Sequence, residues 1–248
     1  MPDQETADDL IWGRHPVLEA LRAKRPLRRL LVAKGARGPV IDEIFDLARQ
    51  ARIPYDLRDK AQLDRLAGPR HQSVVAYQAA ATYADFDTLL ADLPSQSTFL
   101  VFLDQVQDPH NLGAIIRSAH ALGAQGLVVP ERESAGLSPA ALKASAGAAL
   151  HLPVCRVANL QKALQKATAH GLFIAGLDAE GETAFTAVDF TQPCALVIGN
   201  EGKGLRRMVK QRCDTLLQIP MAADSVGSFN ASVAAGIVLY EVFRQRQC

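Results

Sequence analysis

Cysteines are few in this sequence and far apart. Cys155, Cys194, Cys213 and Cys248 lie 39, 19 and 35 residues from one another, so no Cys-x-x-Cys pair is present to hold zinc or run thiol chemistry. They read as reduced thiols of a cytosolic protein. The six histidines form neither a His-Glu-x-x-His motif nor a close cluster, and no metal site is expected. Long apolar runs are missing too: residues 233–240 fall far short of the roughly 18 needed to span a bilayer. The first nine residues are acidic and polar, the reverse of a signal or transit peptide. A soluble, cytoplasmic protein is expected. Neither a Walker loop nor a Gly-x-Gly-x-x-Gly dinucleotide fingerprint occurs, which weakens any reading as a nicotinamide-dependent oxidoreductase.

The chain has 248 residues with 48% apolar content, enough to bury a core in one large domain or two small ones. The net charge is only +1, but it is unevenly spread. Residues 1–82 hold 14 basic against 11 acidic side chains, and the remainder 13 against 15. Within residues 13–37, Arg14, Arg22, Lys24, Arg25, Arg28, Arg29, Lys34 and Arg37 face Glu19 as the sole acid. Such a run fits contact with phosphates, or simply a solvated face.

Apolar, β-rich runs alternate with helical patterns, which predicts an α/β fold with a largely parallel sheet. A first series places helices over 15–24, 40–52 and 61–67, with strands over 29–33, 53–57 and 73–80. Residues 83–97 read as a linker carrying at most a short helix. This gives domains at 1–82 and 98–248. The second series places strands over 99–103, 126–129, 152–157, 172–177, 195–198 and 216–219. Its helices fall over 112–122, 139–149, 160–170, 205–211 and 229–245. The last is apolar nearly all round, so it needs cover on most sides, which a second copy would supply.

Three segments that follow strands carry the candidate chemistry. Residues 104–117 form a turn leading into a helix, with Asn111 as an expected N-cap and Gly113 one turn before Arg117, leaving that guanidinium uncovered. Gly199-Asn200-Glu201-Gly202-Lys203-Gly204 follows an apolar strand, and Lys203, Arg206, Arg207, Lys210 and Arg212 then come without an acid, which favours a polyanion nearby. Residues 219–232 end a strand and start the last helix, with Ser228 as the expected N-cap and Asn230 and Ser232 in the first turn.

In this order and spacing the three segments resemble the SPOUT superfamily of RNA methyltransferases, in its TrmH-like, ribose 2′-O-methylating branch. The resemblance covers nearly the whole chain. It implies a trefoil-knotted α/β domain at the C-terminus, an exception to the usual rule against knots. It also implies S-adenosyl-L-methionine as cofactor and a homodimer. By the same resemblance Gly176, Gly199, Ile219 and Phe229 touch the cofactor, while Asn111, Arg117, Glu201, Ser228 and Asn230 form the reaction site. The family proposal makes the arginine at position 117 a base aided by an RNA phosphate. A guanidinium gives up its proton reluctantly, so a phosphate clamp is the better expectation. Trp12-Gly13-Arg14-His15-Pro16-Val17-Leu18-Glu19-Ala20-Leu21 and His71-Gln72-Ser73 look like the small ribosomal-protein-like α/β domain of the 23S rRNA guanosine methyltransferases. This favours rRNA over tRNA as substrate. The third motif departs from the common Gly-x-Val-x-Ser-Leu-Asn-Val-Ser: Asp224-Ser225-Val226-Gly227-Ser228-Phe229-Asn230-Ala231-Ser232 carries one extra residue ahead of it and Phe for Leu. The rival readings are the same chemistry on tRNA, and a non-catalytic RNA-binding or ribosome-assembly protein that keeps the fold.

Overall fold

A computed structural model describes residues 10–23, 27–78, 82–94, 96–200, 202–222 and 228–247. The chain divides into two compact units, Met1–Ala80 and Ala81–Cys248.

The first unit runs β1 (Leu10–Trp12), α1 (Arg14–Arg22), β2 (Leu27–Ala33), α2 (Pro39–Gln50), β3 (Tyr55–Arg58), α3 (Lys60–Ala67) and β4 (Val74–Gln78). Its sheet has the order β1-β4-β2-β3. Only β2 and β3 are parallel, and β4 runs antiparallel to both of its neighbours. The sheet is therefore mixed, where a largely parallel one was expected. Strand β1 was not anticipated, because three residues are too few for alternation to register. Leu30, Val32, Val74 and Ala76 pack with α1 and α2 on one face, while Leu31, Ala33, Val75 and Tyr77 pack with Leu63 of α3 on the other.

The second unit begins with α4 (Phe86–Asp92), inside the stretch expected as a linker. Phe86 and Leu90 are buried in this unit's core. Then follow β5 (Phe99–Leu103), α5 (Pro109–Ala121), β6 (Gly126–Pro130), α6 (Pro139–Ala144), β7 (Val154–Val157), α7 (Leu160–Ala169), β8 (Phe173–Leu177) and β9 (Thr183–Ala184). The series ends with β10 (Cys194–Ile198), α8 (Arg207–Lys210), β11 (Thr215–Gln218) and α9 (Ala231–Arg246). The seven strands take the order β7-β6-β5-β10-β8-β11-β9, and every pair is parallel. Strand β10 thus enters between β5 and β8, which precede it in the chain.

Burial on both faces explains why these strands read as unbroken apolar runs. In β5, Phe99, Val101 and Leu103 face the core shared with α5, α6 and α9, while Leu100 and Phe102 face the one shared with α4 and α7. Each fully buried large side chain contributes about 1.5–3 kcal/mol, so the central strands anchor the unit.

Helix boundaries differ from the expectation where capping chemistry decides them. Helix α5 begins at Pro109, capped by Asp108, whose carboxylate accepts from the His110 backbone N–H at 2.8 Å. Asn111 is therefore a buried first-turn residue and not the cap. Asn230, not Ser228, caps α9, its Oδ1 accepting from the N–H groups of Ser232 and Val233. The helix expected over 139–149 breaks after α6 and resumes as a 3-10 turn at Ala148–Leu150, since Ala146 and Gly147 both take positive φ. Gly113 answers a packing demand. A Cβ there would lie 2.4 Å from the Ala141 carbonyl oxygen and 2.5 Å from the Ala144 Cβ, so this glycine lets α5 and α6 touch.

Substitution of Gly113 by Ala is expected to push α5 off α6 and to cost about 1–3 kcal/mol of stability. Urea unfolding checks it: an unchanged midpoint would mean that the helices can part at no cost.

Candidate functional site

Strands β10, β8 and β11 are neighbours, and their carboxyl ends lie on one edge of the sheet. A cavity of about 380 Å³ opens there, where open parallel sheets hold their ligands. Leu177 and Ile198 from the strand ends, Ile219, Met221 and Phe229 from the segment after β11, and Ala231 and Ala234 of α9 give it apolar walls. Asp178, Glu180, Asn200, Lys203, Lys210 and Ser228 supply a polar rim. Roughly 300–1,000 Å³, mostly apolar with a few polar groups, is usual for a small-molecule site.

The loop after β10 forms one wall and is built to a tight specification. A Cβ on Gly199 would fall 2.4 Å from the Gly204 carbonyl carbon, so only glycine lets the loop close. Asn200 and Gly204 exchange backbone hydrogen bonds of 3.1 and 2.9 Å. The Asn200 Oδ1 accepts from the N–H groups of Gly202 and Lys203, while its Nδ2 donates to the Gln105 carbonyl at 3.1 Å.

Two buried carboxylates fasten this loop to the sheet. Asp104, fully buried just after β5, accepts from the Arg206 backbone N–H at 2.8 Å and from its guanidinium at 2.7 Å. Asp178, 5% exposed just after β8, accepts from the Leu205 N–H at 3.2 Å, from Lys210 Nζ at 2.9 Å and from the Glu180 N–H at 3.0 Å. Burial alone would push the Asp178 carboxyl up, but the hydrogen bonds from Lys210, Glu180 and Leu205 outweigh it and hold the group below the ordinary aspartate range. The same contact with Asp178 raises the Lys210 ammonium above its usual value.

Of the site residues expected from the sequence, Gly199, Ile219, Ser228 and Phe229 line the cavity. Gly176 does not. It is buried one residue earlier in β8, where a Cβ would meet Cys213 Sγ at 2.7 Å and Leu205 at 2.8 Å. Asn111 and Arg117 are carried on α5, which packs against α9, and neither they nor Asn230 line the cavity. Arg117 is exposed. Glu201 and residues 224–227 of the altered third motif lie outside the described residues. The basic run after the glycine loop is only partly available to a polyanion, because Arg206 and Lys210 are committed to Asp104 and Asp178. Sequence reasoning missed these two aspartates, although an acid follows the apolar run of both β5 and β8. Burial pushes the Cys213 thiol up to about 12 and those of Cys155 and Cys194 to about 11, so none of the three is a thiolate nucleophile at neutral pH. Among the described residues no group of three or more His, Cys, Asp or Glu could hold a metal ion.

Fold and cavity together define an α/β protein that takes a small organic ligand at the carboxyl edge of a parallel sheet. Comparison with known proteins narrows the class. Residues 98–240 match the SpoU rRNA Methylase family, residues 10–84 match the RNA 2′-O ribose methyltransferase substrate-binding family, and the chain belongs to the SpoU methylases. It is 41% identical, over 96% of both chains, to YacO of Bacillus subtilis strain 168, which carries the name of a TrmH family tRNA/rRNA methyltransferase. Among solved structures it is similar to the SpoU methyltransferase AviRb from Streptomyces viridochromogenes in complex with AdoMet. The TM-score is 0.70 and the identity 31%, over 96% of this chain and 90% of that one. The AdoMet-bound rRNA methyltransferase from Sinorhizobium meliloti gives a TM-score of 0.67 and 25% identity, over 95% and 86%. The A. aeolicus TrmH/SpoU tRNA modifying enzyme gives 0.56 and 31%, over 65% and 82%.

The lowered Asp178 carboxyl carries a pH signature. The folded chain binds this proton less readily than the unfolded chain does. The stability that Asp178 contributes is present above the ordinary aspartate pKa of about 4 and is lost as pH falls through its lower folded value. Asp178→Asn is expected to remove this component, so that below about pH 4 its urea midpoint falls less steeply than that of the wild type. Identical slopes would take Asp178 out of the account.

Proposed function

We propose that this chain transfers a methyl group from S-adenosyl-L-methionine to a guanosine ribose 2′-hydroxyl in large-subunit (23S) rRNA. The observation that carries the reading is the cavity beyond β10, β8 and β11. Its size, its apolar walls and its polar rim fit an adenosine joined to an amino acid, and the structures of AviRb and of the S. meliloti enzyme with AdoMet bound support that choice. Gly199, Ile219 and Phe229, with Leu177 and Met221, would hold the cofactor, while Gly176 acts behind the wall by letting Cys213 and Leu205 pack. The cofactor supplies an electrophilic methyl group.

The chain's own residues must then align the ribose hydroxyl and accommodate the loss of its proton. Arg117, exposed and without an ion pair among the described residues, orients an RNA phosphate and steadies the developing alkoxide. Asn111, Glu201, Ser228 and Asn230 position the groups around it. The Oδ1 of Asn230 is spent on capping α9, so its part in the reaction falls to the amide Nδ2, as a donor.

In this reading residues 1–82 grip RNA and residues 98–248 form a trefoil-knotted catalytic domain, to whose core the expected connector 83–97 adds α4. The entry of β10 between β5 and β8 supports the knot. A homodimer in the cytoplasm belongs to the same reading. It is supported by the apolar stripe left on α9, where Val233 and Tyr240, seven residues apart, are 49% and 59% exposed. A preference for rRNA over tRNA is supported by the extent of the matches: the rRNA enzyme aligns with 95% of this chain and the tRNA enzyme with 65%.

Labelled methyl transfer to unmodified large-subunit rRNA, with bulk tRNA in parallel and the product nucleotide mapped, tests the proposal. Label in 2′-O-methylguanosine of rRNA alone is expected. Label in tRNA would overturn the substrate, and no label in either RNA would make the chain a binding protein. Arg117→Lys is expected to lower kcat/KM by about 100-fold with cofactor affinity unchanged by calorimetry. Near-wild-type turnover would end the phosphate-clamp role.

A further inference from the structure

The first unit brings three separate segments to one edge of its sheet. The N–H of Gly13 donates to the Val74 carbonyl at 3.0 Å, and that of Ala33 to the Ser73 carbonyl at 2.8 Å. Arg14 joins all three segments: its backbone N–H meets the Gln72 Oε1 at 3.1 Å, its Nε the Gln72 carbonyl at 3.2 Å, and its guanidinium the Arg37 carbonyl at 3.3 Å. Residues 13–15, 34–38 and 70–73 therefore form one continuous surface. It holds Arg14, His15, Lys34, Arg37 and Arg70 and no acid of its own. Asp59, at the start of α3, reaches in to pair with Lys34.

The turn at this edge is held firmly. Gln72 and Ser73 both take positive φ, 51° and 73°, which non-glycine residues seldom do in succession. His71, fully buried, secures them. Its Nδ1 accepts from the Ser73 N–H at 2.9 Å, so the ring proton sits on Nε2, 3.0 Å from Asp64.

The other basic residues of the 13–37 run are engaged elsewhere or lie outside the described residues. Arg22 bonds Glu19 and Glu43, Arg29 pairs with Asp56, Arg28 lies over the Tyr77 ring, and Lys24 and Arg25 are not described. Structure thus reduces the basic run to Arg14 and Arg37, with Lys34 paired to Asp59, and adds Arg70 from a distant part of the chain. At the same edge β1 ends in Trp12, the sole tryptophan of the sequence, 43% exposed.

Cations and an exposed indole at one edge are what an unpaired RNA strand requires, with phosphates on the cations and a base on the ring. A duplex keeps its base faces stacked away from such a ring. We propose that this edge binds a single-stranded segment of the RNA substrate, with a base on Trp12 and the flanking phosphates on Arg37 and Arg70. Arg14 positions the surface. The inference rests on the RNA methyltransferase reading and adds to it the strandedness of the RNA and the residues that receive it.

Trp12 is its own reporter. The full chain is titrated with an unmodified large-subunit rRNA transcript, a single-stranded oligonucleotide and the same oligonucleotide annealed to its complement. Binding is followed by anisotropy of labelled RNA and by tryptophan emission. Quenching by the transcript and by the single strand is expected, with the duplex bound more weakly and without quenching. Arg37→Glu combined with Arg70→Glu is expected to weaken binding roughly tenfold or more at about 0.15 M salt and to lower the slope of log affinity against log salt by about 1.5. Cofactor affinity should not change. RNA bound with emission unaltered, or a double variant that binds as the wild type does, overturns the proposal. Methyl transfer is assayed in parallel: RNA held at this edge but not methylated would defeat the catalytic reading and leave this inference standing.

Discussion

Two buried carboxylates at the ends of parallel strands hold the candidate site together. Asp104 and Asp178 stand beyond β5 and β8, on either side of β10, and each accepts hydrogen bonds from the stretch 205–206 that closes the glycine loop. A carboxylate taken out of water costs several kcal/mol unless it is paired and hydrogen-bonded. Arg206 and Lys210 meet that requirement, and the loop is drawn onto the edge of the sheet as a result. The cavity wall made by Gly199, Asn200 and Gly204 is thereby fixed before any ligand arrives, which lowers the ordering cost of binding.

The same constraint accounts for the glycines. A loop clamped at both shoulders has little room between them, and Gly199 sits against Gly204 at a distance no side chain would allow. Gly176 lets Cys213 and Leu205 close on β8 from behind, and Gly113 lets α5 lie directly on α6. These glycines are positions of close approach, and their conformational freedom is incidental. Packing ties the neighbouring helices to the cavity: α5, which carries Asn111 and Arg117, rests on α9, whose first turns line it.

The two units use charge differently. In the second, the cations after β10 that look destined for a polyanion are partly internal, answering buried acids. In the first, Arg22, Arg29 and Lys34 meet local acids, while Arg14 and Arg37 are brought to one edge because hydrogen bonds join segments nearly sixty residues apart. Counting charges along the chain found the basic unit. It did not find the basic surface.

Period and turn chemistry by themselves determined most of this protein's elements. The buried parallel strands β5 and β10 are unbroken apolar runs, and the helices between strands carry their own periodicity, so an α/β fold was legible without coordinates. The order of three motifs was enough to indicate the family. What the local sequence could not decide was anything set by partners distant in the chain. The parallel or antiparallel sense of β4, the insertion of β10 between two earlier strands, and the pinning of Arg206 by Asp104 across about a hundred residues all depend on which segments meet. The caps show the same limit at short range: Asp108 and Asn230 compete with Asn111 and Ser228, and neighbouring polar residues of equal propensity are separated only by where the backbone leaves the helix. Long-range pairing and packing belong to the tertiary structure because their energies arise between segments, and no window of sequence contains both partners.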